Sequence, residues 1–485
     1  MAVACGDGFT IFLTEQGDVW ACGRNKDGQL GLGTDVHQLL PSHVGGRKVF
    51  SGESLVMVAT REKHTAGVAK DGALWSWGDG HFGQLGHGDR KPRQRPQRLG
   101  KERFGGSPAV MVACGGGHTL VLTAAGLVWS CGYGFFDQLG HGDHKDKLRL
   151  TLVADKQFRK AHIVMVAAGG CHSVALGAEG QVWTWGFKGH WKKGNGKNHG
   201  AAVPMLLAGK ALGGASAVLV AAGDGHTVAV SRDGALWAWG RGEEGQLGLG
   251  NLTNRLVPMR VGGEQEFGGQ VLMAACGDWH TLAVTKAGTL WLWGRGGDGM
   301  LGLNDTNDRL VPTQVEAQHF GNAKIVSVAA GATQSAAVTE HGRLYTWGEG
   351  SRVEEETFSS SEEDEEAEEV EVPSGLGHGD GETKLVPTPV APALLQGARV
   401  GRCYGLPPLH ALAFAMGNHF RLGRAAQNAP AAADNGKDCA YVSMPGELMQ
   451  RMVEACGAWQ EGRTGELEGI VRLMGGGIID ERGST

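Results

Sequence analysis

Five histidines recur at one spacing in this chain: His64, His118, His172, His226 and His280, each 54 residues after the last and each followed by Thr or Ser. Imidazoles in register raise two chemical options, a metal centre and a catalytic base. Zinc needs ligands at about 2.0–2.1 Å from one ion, whereas residues one repeat apart belong to different structural units. The expectation is therefore a buried histidine in each unit, its ring nitrogens bonded to turn backbone. No nucleophile–base pair, phosphate-binding G-x-x-x-x-G-K-[ST] loop or metal-ligand spacing accompanies them. No metal, no cofactor and no enzymatic activity are expected.

The nine cysteines include no C-x-x-C pair and are odd in number. They suit a reducing, cytoplasmic or nuclear setting better than a disulfide framework. Apolar runs are short, so neither a signal peptide nor a membrane span is expected.

Charge is the second candidate chemistry. The formal net charge is −6, yet residues 354–371 alone hold eleven acids and no Lys or Arg, which leaves +5 on the rest. Three stretches concentrate cations. "DRKPRQRPQRLGKER" carries Arg90, Lys91, Arg93 and Arg95 among seven basic residues up to Arg103. "DHKDKLR" carries Lys145 and Lys147, and "FKGHWKKGNGKNHG" carries Lys188, Trp191, Lys192, Lys193 and Lys197. Such clusters steer phosphate backbones or acidic protein tails toward a surface. Trp191 is the one aromatic read as exposed among them, which leaves base stacking without a platform.

The elements that must position these residues follow from the tryptophans. Trp75, Trp129, Trp183, Trp237 and Trp291 keep the same 54-residue step, Tyr345 takes the next one, and Trp20 stands 55 residues before Trp75. A third column reads "GQLGLG", "GQLGHG", "DQLGHG" and "GMLGLN". One unit, "VMVACGGGHTLVLTAAGLVWSCG", is a series of short β-forming runs broken by glycine turns, which reads as a meander. A lone meander cannot cover its faces, and periods of this length indicate propeller blades. The expected fold is all-β: a seven-bladed β-propeller closed by a terminal strand, with a small helical C-terminal extension. Within it the Trp column is core, its indole nitrogen finding a carbonyl. Cys5, Cys114 and Cys276 share a column with Thr60, Ala168, Ala222 and Ala330, a position that wants a small side chain, while Cys22 and Cys131 replace the second Trp of the strand. There are seven Trp-Gly segments but eight His-column segments, the extra ones being "VACGDGFTIFLT" and "LPPLHALAFAMG" at the two ends. One of these should complete the last blade.

The "CG-x-x-HT" turn, the "G-x-V/L-W-x-W-G" strand and the "GQLG-x-G" loop resemble the regulator of chromosome condensation repeat, over residues 1 to about 423. The resemblance implies a propeller but not one activity. Its members include an exchange factor for the small GTPase Ran, plant ultraviolet-B photoreceptors, domains of large ubiquitin ligases and a bacterial β-lactamase inhibitor. Photosensing members carry "GWRHT" turns; here only Trp279 lies in such a turn and no Arg follows it. The even spacing of blades 2 to 6 leaves no room for the wedge-like insertion that exchange factors present to the GTPase.

Loops at equivalent repeat positions emerge on one face, so the three basic loops of blades 2, 3 and 4 should form an arc there. The expected function is a monomeric, non-enzymatic scaffold that binds a protein, an acidic tail or a nucleic-acid backbone through that face. The alternatives implied by the resemblance are nucleotide exchange on a Ran-like GTPase, or a regulatory subunit of chromatin or ubiquitin-ligase complexes. Residues 351–374 form an acidic insertion in blade 7, expected to be disordered. There Ser359, Ser360 and Ser361 each have an acid three residues on, the pattern of acid-directed phosphorylation. An Ala-rich linker, 424–444, precedes a helical extension, 445–485, with apolar stripes such as Leu467, Ile470, Val471 and Met474.

Overall fold

The computed structural model describes residues 1–187, 201–207, 211–262, 267–350, 352–356, 368–372 and 375–391. Lys188, Trp191, Lys192, Lys193, Lys197, Ser359, Ser360, Ser361, the segment "LPPLHALAFAMG", the linker and the helical extension fall outside these residues.

Each β-forming run becomes a strand and each glycine-containing break a turn. In blade 3 the strands Ala109–Cys114, His118–Thr123, Val128–Gly132 and Lys147–Leu152 pair antiparallel in chain order. The same four-stranded order recurs in seven sheets, spanning 2–45, 55–99, 109–152, 163–206, 217–261, 271–314 and 325–389. The first strand of every blade lies against the first strand of the next, and that of blade 7 against Ala2–Cys5 of blade 1. First strands thus line the axis and fourth strands form the rim. Alanine occupies one register of all seven first strands (Ala4, Ala59, Ala113, Ala167, Ala221, Ala275, Ala329), the small side chain that converging strands leave room for.

Closure differs from expectation. No terminal strand is exchanged among the described residues. Blade 7 uses its own Ile325–Ala330, Gln334–Thr339, Leu344–Gly348 and Lys384–Pro389, and "VACGDGFTIFLT" forms the first two strands of blade 1. The acidic insertion moves Lys384–Pro389 far along the chain without removing it from the sheet, so no gap is left to fill. The seam is bonded instead: Gln334 donates through Nε2 to the Phe9 carbonyl at 2.7 Å and to Thr10 Oγ1 at 2.9 Å.

Two segments of the insertion are among the described residues. Arg352–Glu356 and Glu368–Val372 pair as an antiparallel ribbon, with Val353 opposite Glu371 and Glu354 opposite Val370.

Two faces result. The turns between first and second strands (axial turns) and the loops between third and fourth (rim loops) open on one face. The second-to-third turns and the inter-blade connections open on the other. Three connections also deliver a phenylalanine to the next blade's Trp column: Phe50 meets Trp75, Phe158 meets Trp183 and Phe267 meets Trp291, centroids 5.2–5.8 Å apart and edge-on. Among the described residues, no helix is long and apolar enough to cross a membrane.

Candidate partner-binding face

The histidine column bonds blade to blade. His64 Nε2 meets Thr119 Oγ1 at 2.9 Å, His118 meets Ser173, His172 meets Thr227, His226 meets Thr281 and His280 meets Ser335, all at 2.8–2.9 Å. Thr119 and Ser173 then donate to the carbonyls of Gln84 and Gln138 in the rim loops. Since the hydroxyl hydrogen is spent on the carbonyl, the imidazole must donate from Nε2. The partner of each ring is thus the next blade's hydroxyl, not the turn backbone expected from the sequence, and Nδ1 of His118 and of His280 finds no acceptor or donor in its own turn. Burial holds His64 neutral, its pKa pushed down to about 4, and His118 and His280 to about 3. Gly115 shows why the turn needs glycine: a Cβ there would overlap the His118 ring and the Gly169 carbonyl.

The Trp column departs from expectation. It is the second Trp of the strand that donates to a carbonyl: Trp77 to Gln29, Trp185 to Gln138 and Trp293 to Gln246, at 2.8–2.9 Å. Of the first column, the indole N–H of Trp75, Trp129 and Trp183 finds no acceptor, while Trp237 and Trp291 donate to the hydroxyls of Ser231 and Thr289. The first Trp faces the apolar inter-blade layer, where phenylalanine rings replace polar partners. Cys5, Cys114 and Cys276 are buried, and burial raises the thiols of Cys5 and Cys276 to about 12.

The basic residues separate into classes that composition did not reveal. Arg93 forms a two-toothed ion pair with Asp89 at 2.8 and 3.0 Å, and Lys147 pairs with Asp143 at 2.5 Å. Arg309–Asp305 and Lys384–Asp380 repeat this pair in blades 6 and 7, four residues apart each time. Arg93 and Lys147 therefore fasten their own rim loops. Arg90 bridges blades by bonding Asp146 of blade 3 at 2.8 Å. Arg95 lies over Gly33 of the blade 1 loop. Arg98 pairs with Asp71, and Lys101 and Arg103 sit in the inter-blade connection, so these three belong to the opposite face. Lys91 and Lys145 are exposed and carry no ion pair among the described residues.

An aromatic strip, unrecognised in the sequence, runs beside those lysines. Phe82 of blade 2 meets Tyr133 of blade 3 at 4.6 Å between centroids, Tyr133 meets Phe135 and Phe136, and Phe136 meets Phe187 of blade 4 at 5.0 Å. Phe135 is 61% exposed and Phe82 38%. Phe82 reaches blade 3 over Gly117, where a Cβ would crowd its ring at 3.3 Å. The corresponding positions of blades 1, 5, 6 and 7 hold Arg24, Arg241, Arg295 and Glu349, with no aromatic residue in the first turn of those loops. The signal lay in two positions after the "W-x-W-G" glycine: the first is aromatic at Tyr133 and Phe187, the fourth at Phe82 and Phe136.

At the axis, one residue breaks the glycine column. Arg61 stands where the other blades have Gly6, Gly115, Gly169, Gly223, Gly277 and Gly331. The strand Leu55–Arg61 runs on into a two-residue turn, with Glu62 at φ 44°, in the left-handed region. The Arg61 guanidinium is buried and reaches Asp278 of blade 6 at 2.5 Å and the Ala222 carbonyl of blade 5 at 3.4 Å. Burial, with the carboxylates of Asp278, Asp224 and Asp7 adding to it and Arg61 opposing, pushes Glu62 up to about 7.

Among the described residues one group could offer three metal-ligand atoms: Asp27, Asp79 and His81. Their chemistry is already used, because Asp79 takes the His81 ring and the Gln84 amide while Asp27 faces Lys63 at 3.8 Å.

Comparison with known proteins agrees with this architecture. A family model described as RCC1-like domain matches residues 1–261, and one described as the Regulator of chromosome condensation (RCC1) repeat matches 287–338. The ultraviolet-B receptor UVR8 of Arabidopsis thaliana is 37% identical over 298 residues, 61% of this chain and 65% of the receptor. The human E3 ubiquitin-protein ligase HERC2 is 32% identical over 330 residues, 68% of this chain but 7% of the ligase. The chain thus spans less than two-thirds of either relative. Prp20p of Saccharomyces cerevisiae, whose structure is described with its binding to Gsp1p and histones, superposes with a TM-score of 0.64 at 22% identity, covering 79% of this chain and 87% of that one.

Proposed function

This chain belongs to the RCC1-like domain family, and we propose that it is a non-enzymatic interaction module that binds an acidic protein partner through the rim loops of blades 2 to 4. One observation carries the reading: among the described residues, exposed cations and exposed aromatics coincide on two successive blades, 2 and 3, on one face. Lys91, Arg95 and Lys145 supply charge, and the strip from Phe82 to Phe187 supplies apolar surface. Monomers rarely leave such patches exposed without a use for them. Lys188, Lys192, Lys193 and Lys197 would extend the arc along blade 4.

The free thiols fit a reducing cytoplasmic or nuclear setting. Exchange on a Ran-like GTPase rests on family resemblance, which conveys fold and not activity.

Reversing Lys91, Arg95 and Lys145 to Glu should lower the salt needed to elute the chain from an anionic matrix. Reversing Lys70 and Arg232, on the opposite face, should not. Equal shifts in both sets would end this reading. Stimulated release of labelled GDP from a Ran-like GTPase would replace it with the exchange-factor reading.

A further inference from the structure

The aromatic strip asks more of a partner than negative charge. We propose that it seats one apolar side chain of a linear acidic segment, so that the ligand is a peptide in which an aromatic or large aliphatic residue is flanked by carboxylates. This rests on the acidic-partner reading above and adds an anchor to it.

The geometry sets cations at the edge of the strip. The Lys91 backbone abuts Gly80, two residues before Phe82, and the Lys145 backbone abuts Gly134, between Tyr133 and Phe135. A side chain resting on Phe135 and Phe82 would therefore have both ammonium groups within reach of its neighbours along the peptide. Arg90 adds a third cation, held in place by Asp146 and the His81 carbonyl.

The same features disfavour single-stranded nucleic acid. Base stacking needs open ring faces, yet Phe135–Phe136 and Tyr133–Phe136 meet edge-on at 78° and 82°, and only Tyr133–Phe135 stack.

The test uses the full chain and fluorescein-labelled acidic heptapeptides with a central phenylalanine or a central alanine, followed by anisotropy. The phenylalanine peptide should bind about tenfold or more tightly, the effect expected for partial burial of one such side chain. Phe135→Ser, at a position too exposed to matter for folding, should erase most of that difference while leaving the alanine peptide's affinity unchanged. Lys91→Glu with Lys145→Glu should weaken both peptides. Equal affinity for the two peptides, still lost on charge reversal, would overturn the anchor and leave the acidic-partner reading standing. Failure of both peptides to bind would overturn both. An oligothymidylate that binds more tightly than the phenylalanine peptide, and loses that affinity in Phe135→Ser, would overturn the peptide assignment in favour of nucleic acid.

Discussion

Arg61 of blade 2 crosses the propeller axis to bond Asp278 of blade 6, Nη2 to Oδ1, at 2.5 Å. Blades far apart around the ring are thereby joined at their axial turns, from a position where the other six blades have glycine. Removing one partner of a buried pair costs several kcal/mol, less when water reaches the remaining ion. The Asp278 side chain is 22% exposed, so Arg61→Ala should cost about 1–3 kcal/mol. A double-mutant cycle with Asp278→Asn in urea should show that most of this is coupling between the two residues.

Glu62 gives the axis a pH dependence of definite sign. Its pKa is raised from 4.5 to about 7, so the native state holds a proton that the unfolded state has released. The stability it contributes is complete below pH 4.5 and is lost as pH rises through 7. Glu62→Gln should remove that loss, making the variant more stable relative to wild type at pH 8 than at pH 4.5. A constant difference between the two pH values, from urea midpoints, would refute this.

The histidines act with the opposite sign. His118 is lowered from 6.5 to about 3, so its contribution is present above pH 6.5 and is lost as pH falls toward 3. Blade 7 already carries a natural substitute: Gln334 donates from Nε2 to Thr10 as the histidines do to their hydroxyls. His118→Gln should stay within about 1 kcal/mol of wild type at pH 7 and should tolerate acid better in thermal melts.

Much of the fold was legible because its determinants are periodic. Trp75 to Trp291 and His64 to His280 keep one step, and a repeated unit must solve the same packing problem each time. Closure was misjudged because two copies of a motif look alike in sequence, whereas which sheet a strand joins depends on free edges in space. The basic arc was legible as charge but not as function. Arg93 and Asp89 are four residues apart in a loop with no helical period, and nothing local announces that they pair. The strip from Phe82 to Phe187 stayed hidden because its members come from three blades and meet only when the blades are placed side by side.

That separation of roles is testable. Arg93→Ala breaks the pair to Asp89, whose carboxylate is partly exposed, so it should cost about 0.5–1 kcal/mol. It should leave acidic-peptide affinity within about twofold, corresponding to a few tenths of a kcal/mol. Lys145→Glu should do the reverse, sparing the urea midpoint and weakening the peptide at low salt.

The central claim is that the partner sits on the rim-loop face of blades 2 to 4. A photo-crosslinking amino acid placed at Lys145, and separately at Lys70 on the opposite face, tests it most directly with the labelled phenylalanine peptide. Adducts from position 145, abolished by excess unlabelled peptide, with none from position 70, are the predicted result. Equal adducts from both positions, or adducts from position 70 alone, would contradict it.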